Sequence, residues 1–144
     1  MSATLARICR HPVKSLGEEE IGEVTLTPGQ HMPWDRVWAV AHGSSDFDGS
    51  WTEPRNFVHQ ARSPKLAQVG VRYDEAAGRL HLSHPDLAPL DVDPAGEAEA
   101  LADWIAPLAS SLQQGPFRLA EMAEGRFCDF PDTHLSLATE PSRR

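Results

Sequence analysis

Residues 7–40, RICRHPVKSLGEEEIGEVTLTPGQHMPWDRVWAV, hold two strand-like runs, a break between them, and two basic side chains that decide how the chain is interpreted. Lys14 is one of only two lysines in the sequence, and it follows a proline at the break. Arg36 begins the later run, directly after Asp35. If both cations face one cleft, they form an anion site. If they do not, they are ordinary surface charges.

The composition describes one soluble globular domain of ordinary size. The chain has 144 residues, a hydrophobic content of 40% and 12 prolines, which favour turns and short elements over long helices. No apolar run approaches the ~20 residues of a membrane span, and the N-terminus lacks the apolar centre of a secretory signal. We expect a cytoplasmic protein without membrane association, with reduced thiols at Cys9 and Cys128.

The net charge of −8 argues against broad nucleic-acid binding, which depends on many Lys and Arg contacts with phosphates. It does not exclude a small anion site, because one phosphate needs only one or two cations and several N–H donors. We therefore expect no nucleic-acid partner.

Short alternating segments predict strands through most of the chain. Asp48–Gly49 is typical of a hairpin, with a returning strand that begins at Trp51–Thr52. Pro28–Gly29 predicts a type II turn. The other expected strands are residues 4–10, 23–27, 36–42, two strands within 66–84 around a turn at Ala77–Gly78, 89–93 and 116–122, with a loop or bulge at 13–20.

A single helical pattern follows Asp93, which we expect to be the N-cap, with Pro94 at the first helical position. Pro107 should end or kink this helix. Its apolar face is formed by Ala98, Leu101, Ala102, Ile105 and Leu108. Six to eight short strands with one late helix predict a mainly β fold, a small antiparallel β-barrel with some α+β character.

Lys14 and Ser15 lie where the chain turns after a proline and leaves backbone N–H groups available. An ammonium, a hydroxyl and such amides together suit a phosphate. The alternative is a solvated loop lysine that pairs with Glu18, Glu19 or Glu20. Spacing alone leaves both interpretations open.

Arg36 offers a guanidinium that can bind phosphate through two N–H groups, with Asp35 or a carbonyl fixing its orientation. The alternative is a surface ion pair between Asp35 and Arg36 at the start of a strand.

Other chemistries have little support in the sequence. His81 and His84 are three residues apart in a strand and so face opposite sides, and no HxH or HExxH spacing occurs. The fragment DFDG lacks the later ligands of a calcium loop. Hydrolase, P-loop and dinucleotide fingerprints are absent. Cys128 is interpreted as a buried structural thiol, and the tryptophans as packing residues.

The short motifs, taken in order, resemble the N-terminal β-barrel domain of MOSC proteins, a family named for the C-terminal domain of molybdenum cofactor sulfurase. The family pattern is a YPVKS-like segment, a glycine, a DR-aromatic strand and a P-x-L-A segment. Here it is found as 11–15 (HPVKS), Gly29, 35–38 (DRVW) and 64–67 (PKLA). The likeness extends loosely over nearly the whole chain.

The resemblance implies a domain that holds molybdenum cofactor (molybdopterin) against a C-terminal MOSC domain in the same polypeptide. Related proteins are reductases of N-hydroxylated compounds, which use a redox partner protein, or sulfur carriers. By resemblance, Lys14, Ser15 and Arg36 contact the pterin phosphate region. Residues 1–121 would then be the MOSC-type N-terminal domain, and residues 122–144 a linker and the start of a truncated MOSC domain.

The chain also departs from the family pattern. His11 replaces the usual aromatic residue before proline, and the threonine–arginine element is only approximately kept in residues 51–55. The cysteine that ligates molybdenum or carries sulfur belongs to the MOSC domain, and neither Cys9 nor Cys128 lies in a matching motif. We therefore expect no catalytic residue and no metal ligand in this chain, which should not catalyse alone.

Two alternatives remain open. In the first, the barrel is a protein- or substrate-recognition module that uses the region from Trp34 to Trp51. In the second, the phosphate ligand is pyridoxal phosphate (PLP) or another compound, since a phosphate site alone does not identify the rest of its ligand. The cofactor hypothesis requires that Lys14 and Arg36 converge on one face, and that this face looks towards the partner domain.

Overall fold

The computed structural model describes residues 2–132 and 134–139, which form short strands and one α-helix. The strands are β1 (Ile8–Arg10), β2 (Glu19–Ile21), β3 (Trp38–Ala41), β4 (Gly70–Asp74), β5 (Arg79–His84), β6 (Leu87–Val92) and β7 (Arg118–Glu121). The helix α1 spans Ala98–Ile105, and 3-10 turns cover Pro54–Asn56, Pro64–Gln68 and Ala106–Leu108. The expected mainly β class with a single late helix is confirmed for these residues.

All strand pairs among the described residues are antiparallel, and they form three small sheets. β1 pairs with β2, β3 pairs with β7, and β5 lies between β4 and β6. Two isolated bridges add loops to the edges of β3, one parallel between Val13 and Trp38 and one antiparallel between Ala41 and Phe57. β3 is thus the strand at which several separate segments of the chain meet.

β3 is buried on both faces, so that it separates two apolar clusters. Trp38 and Val40 contribute to the larger cluster, while Ala39 and Ala41 face the smaller one. This division follows from the alternation of side chains along a strand. The larger cluster also contains Val13, Leu16, Leu66, Leu80, Leu82, Leu101 and Ile105, and the smaller one contains Phe47, Phe57, Ala120, Met122 and Phe127.

The helix is shorter at its N-terminus than the sequence predicts. It begins at Ala98, because Asp93 closes a separate turn: its carboxylate accepts the Ala95 N–H at 2.9 Å, and its carbonyl accepts the Glu97 N–H at 2.7 Å. The expected buried face is present at Leu101, Ala102 and Ile105, and the helix ends before Pro107 as expected. Within the described ranges, none of the helices has the length and apolar character needed to cross a membrane.

The expected strand at residues 23–27 is wrong, and part of the expected loop at 13–20 is strand β2 instead. Ile8 pairs with Ile21, so residues 23–27 would need to continue the same pairing with residues 2–6. Those N-terminal residues form no strand. A β-former-rich segment without a partner cannot satisfy a ladder of hydrogen bonds, and it remains irregular.

The expected hairpin at Asp48–Gly49 is also wrong. The Asp48 carboxylate accepts hydrogen bonds from the Ser50 N–H at 3.0 Å and the Ser50 hydroxyl at 2.6 Å, which makes a local turn. Trp51 and Thr52 do not begin a strand, and the segment that returns to β3 does so at Phe57. The expected turns at Pro28–Gly29 and Ala77–Gly78 are present, with φ of 75° at Gly29 and 67° at Gly78.

Arg10 ties the β1–β2 hairpin to β4 through a buried charge network. Its guanidinium donates to Glu19 at 2.8 Å, to Glu75 at 2.7 Å and to the Tyr73 carbonyl at 3.3 Å. The Arg10 side chain is only 4% exposed and that of Glu19 11% exposed. Such a network stabilises the fold only while both charges are present, because a buried charge without its partner is costly.

We predict that Arg10→Met lowers the free energy of unfolding by about 3 kcal/mol, since it leaves the Glu19 carboxylate buried without its cation. Urea unfolding measures this loss. The matched control is Arg79→Met, which removes the exposed pairs that Arg79 makes with Asp91 and Glu97 and should have a much smaller effect. Equal losses in the two variants would contradict this role of Arg10.

Candidate anion-binding site

Backbone hydrogen bonds join the segment around Lys14 to the segment around Arg36. The Lys14 N–H donates to the Trp38 carbonyl at 2.7 Å, and the Trp38 N–H donates to the Pro12 carbonyl at 3.2 Å. The Arg36 N–H donates to the His11 carbonyl at 2.5 Å. The two motifs, more than twenty residues apart in the sequence, therefore lie side by side as neighbouring parallel segments.

The same region contains three non-glycine residues in the left-handed backbone conformation. Ser15 has φ of 66°, Trp34 of 61° and Arg36 of 51°. Each such residue costs on the order of 1–2 kcal/mol, so the surrounding contacts must hold it in place. Residues in this conformation cluster at ligand-binding sites more often than elsewhere.

Lys14 is buried, and its ammonium donates to the Asp129 carboxylate at 2.9 Å. The Lys14 side chain is 7% exposed and that of Asp129 is 74% exposed, so the ion pair is open to solvent on one side. The hydrogen bond from Lys14 lowers the pKa of Asp129, and the positive charge of Arg36 adds to this effect. Both cations thus act on one carboxylate.

The glutamates after Lys14 bind other residues. Glu19 pairs with Arg10, whereas Glu18 and Glu20 pair with Arg7 at 3.5 and 2.9 Å. The interpretation of Lys14 as a loop lysine neutralised by these glutamates is therefore wrong.

Arg36 is oriented by Asp35, as the sequence allows. The Arg36 guanidinium lies 2.6 Å from the Asp35 carboxylate, whose other oxygen accepts the His11 N–H at 2.8 Å. The Asp35 side chain is 10% exposed and that of Arg36 29% exposed. The pair is not an ordinary surface ion pair, because Asp35 is buried and fixed by the backbone of the neighbouring segment.

The segment Phe127–Asp129 late in the chain, which we call the closing segment, packs against these residues. Phe127 is buried with its ring centroid 4.9 Å from that of Phe57, and its N–H donates to the Arg36 carbonyl at 3.0 Å. The Trp51 indole donates to the Cys128 carbonyl at 3.0 Å. This closing segment therefore holds Asp129 next to Lys14.

Ser15 and His59 complete the surroundings of Lys14. Ser15 is half-buried, and its carbonyl accepts a hydrogen bond from the Gln60 side chain at 3.1 Å. Burial, with smaller contributions from Arg62, His42 and Lys14, lowers the pKa of His59. The lowered pKa favours the neutral imidazole, so His59 adds little to the positive charge near Lys14.

The other candidate groups lie in surroundings typical of packing residues. Cys128 is buried, and this burial raises the pKa of its thiol, which suits a structural residue more than a nucleophile. Trp34 packs against Tyr73 with ring centroids 4.5 Å apart and stacks on Trp38 at 6.0 Å. In the ranges that the structure describes, no cluster of three His, Cys, Asp or Glu side chains could hold a metal ion.

The structure thus places three predicted residues in one region: Lys14, Ser15 and Arg36. The sequence alone did not indicate Asp129, His59 or the closing segment. Asp129 is 115 residues from Lys14, and no spacing rule connects them. The available signal was indirect: a buried lysine requires a carboxylate, and the RFCDF stretch offers one beside two aromatic residues.

The fold and this cationic region define a mainly β domain with a candidate anion site. Residues 2–111 match the family model of the MOSC N-terminal beta barrel domain. This match covers well over half of the 144 residues, and the chain belongs to that family. The resemblance seen in the short motifs is confirmed. Comparison with curated proteins and with solved structures gives no match.

We predict that Lys14→Met raises the pKa of Asp129 towards its ordinary value of 3.8, because the principal cause of the lowering is removed. The folded pKa of Asp129 is the lowered one, so the ion pair contributes stability at neutral pH and loses it as the pH falls through that pKa. Carboxyl ¹³C NMR titration of Asp129 measures the change. Lys65→Met, which alters the other lysine, should leave the titration unchanged.

We also predict that Phe127→Ala lowers the free energy of unfolding by about 3 kcal/mol, because it removes a buried ring from the smaller apolar cluster. Urea unfolding measures the loss. Phe130→Ala is the control, since Phe130 is 70% exposed and should change stability by less than about 0.5 kcal/mol. A loss no larger than that of the control would show that the closing segment does not pack as described.

Proposed function

We propose that this domain binds the phosphate of molybdenum cofactor with Lys14, Ser15 and Arg36, and that it holds the cofactor against a C-terminal MOSC domain in the same polypeptide. The observation that carries the proposal is the side-by-side placement of the two basic motifs by the hydrogen bonds between residues 11–14 and 36–38. Family membership supports the pairing with a MOSC domain.

The residues present fit a phosphate group. Lys14 supplies a buried ammonium, for which a carboxylate that is 74% exposed serves as the counter-ion. Arg36 supplies a partly exposed guanidinium that Asp35 holds in one orientation. Charge-assisted hydrogen bonds of this kind are roughly twice as strong as neutral ones, so two of them can secure a phosphate within an acidic chain.

The domain's own contribution is to bind and orient. Molybdenum cofactor, when bound, supplies a redox-active metal centre. Lys14 and Arg36 neutralise the phosphate charge, and Ser15 adds a hydroxyl donor at a backbone position that its φ of 66° turns out of the regular strand path. The positive charge that would attract the phosphate comes from the lysine and the arginine.

The complete protein would then be a reductase of N-hydroxylated compounds that receives electrons from a redox partner, or a sulfur carrier. Residues 1–121 would form the cofactor-binding domain, and residues 122–144 a linker and the start of the MOSC domain. In that second range, Thr133 and residues 140–144 lie outside the described residues, as does Met1 in the first.

We predict that Lys14→Met and Arg36→Met each weaken pyrophosphate binding at least about tenfold, which corresponds to the loss of one charge-assisted hydrogen bond. Amide and side-chain NMR titration of the 144-residue chain measures the dissociation constants. Lys14→Met leaves no buried charge unpaired, because Asp129 is exposed, so the variant should fold. Arg36→Met leaves the Asp35 carboxylate, which is 10% exposed, without its cation, so protection of the Phe127 amide from hydrogen exchange is checked before its affinity is compared. Lys65→Met and Arg72→Met are the matched controls and should bind as the unaltered chain does.

The same titration distinguishes the ligands. Molybdopterin should bind more tightly than pyrophosphate, because its pterin ring adds contacts to those of the phosphate, and PLP should bind no more tightly than pyrophosphate. Chemical-shift changes confined to regions away from Lys14, Ser15 and Arg36 would contradict the proposal. A preference for PLP over molybdopterin would reassign the ligand.

A further inference from the structure

Asp129 occupies the position at Lys14 that an incoming anion would need. Its carboxylate lies 2.9 Å from the ammonium, which is within the range of a charge-assisted hydrogen bond. A buried ammonium requires an anion near it, because an unpaired charge away from water is costly. Asp129 therefore serves as the counter-ion of Lys14 while no other anion is bound.

The two carboxylates of the site differ in how firmly they are held. Asp35 is 10% exposed and receives hydrogen bonds from both Arg36 and the His11 backbone. Asp129 is 74% exposed and pairs with Lys14 from the solvent side. Removing Asp35 would break contacts between backbone segments, whereas the Asp129 side chain can turn into water.

The anchors of the closing segment end just before Asp129. The Phe127 ring is buried, its N–H binds the Arg36 carbonyl, and the Cys128 carbonyl accepts the Trp51 indole N–H. The residues that follow, Phe130 to Asp132, are exposed. The Asp129 side chain can therefore change rotamer without loss of the contacts at Phe127 and Cys128.

We propose that Asp129 is a displaceable internal anion, which occupies Lys14 in the free domain and turns away when a ligand phosphate binds. This inference rests on the proposed function of the site and adds that a ligand must displace a carboxylate in order to bind. With Asp129 in place, the charges of Lys14 and Arg36 are balanced by Asp129 and Asp35. A ligand must compete with a carboxylate, so a multiply charged phosphate enters and a weakly binding monoanion such as chloride does not.

Asp129→Asn tests this inference with pyrophosphate as the probe. The variant keeps the size of the side chain and removes the competing charge, so pyrophosphate should bind about tenfold more tightly than to the unaltered chain, the equivalent of one lost opposing interaction. Asp129→Glu, which keeps the charge, and Asp132→Asn, which removes an exposed carboxylate from the same segment, should both bind as the unaltered chain does.

A second readout follows the displacement in the unaltered chain. Saturation with pyrophosphate should raise the pKa of Asp129 towards 3.8, because the carboxylate has lost its bond to Lys14. The Phe127 amide should remain protected from hydrogen exchange, since the anchors stay in place. Hydrogen exchange at Phe127 in Asp129→Asn also checks that this variant is folded.

The outcomes separate this inference from the proposed function. If pyrophosphate binding depends on Lys14 but is unchanged or weaker in Asp129→Asn, the displaceable anion is wrong and the phosphate site stands. If binding is tighter in Asp129→Asn and the Phe127 amide remains protected, the inference is supported. If neither chain binds pyrophosphate in a Lys14-dependent manner, both proposals are wrong.

Discussion

The parallel pairing of residues 11–14 with residues 36–38 is the constraint on which the rest of the site depends. Strand β3 is buried on both faces and therefore cannot shift without disturbing both apolar clusters. The Trp38 carbonyl accepts the Lys14 N–H, and the Trp38 N–H donates to the Pro12 carbonyl, so both residues are bound to this strand. The position of Lys14 relative to Arg36 is thus set by hydrogen bonds between their segments at the start of the buried strand β3.

This arrangement allows a candidate anion site in a chain that is acidic overall. The net charge of −8 is a property of the whole sequence, while the site is determined by a few groups at short range. Local backbone strain at Ser15, Trp34 and Arg36 accompanies it. Such strain persists only where the surroundings fix the conformation, and here the hydrogen bonds of Arg36 to His11 and Phe127 do so.

Two carboxylates neutralise the two cations: Asp35 pairs with Arg36, and Asp129 pairs with Lys14. Asp35 belongs to the fold, since it joins Arg36 to the backbone of the neighbouring segment. Asp129 belongs to the closing segment, which lies beyond the family-matched residues 2–111. In our account, the core of the domain provides the cations, and a segment outside the matched range controls access to one of them.

Some local turns were predicted correctly from the sequence, whereas the Asp48–Gly49 hairpin and the distant pairing were not. The turn at Gly78 and the strands on either side were evident, because turn residues and alternation are properties of neighbouring positions. Residues 23–27 alternate as a strand does but lack a partner, which no local pattern reveals. The candidate cations were found because their motifs are short, whereas Asp129 was missed because its partner is 115 residues away.

The central claim is that Lys14 and Arg36 contact one phosphate. A paramagnetic analogue, chromium(III) pyrophosphate, tests it through the distance-dependent broadening of nearby NMR signals from the chain. We predict strong broadening of both the Lys14 and the Arg36 side-chain signals at the same ligand concentration, with the exposed Lys65 unaffected. Broadening of only one of the two cations, or equal broadening of Lys65, would contradict the account.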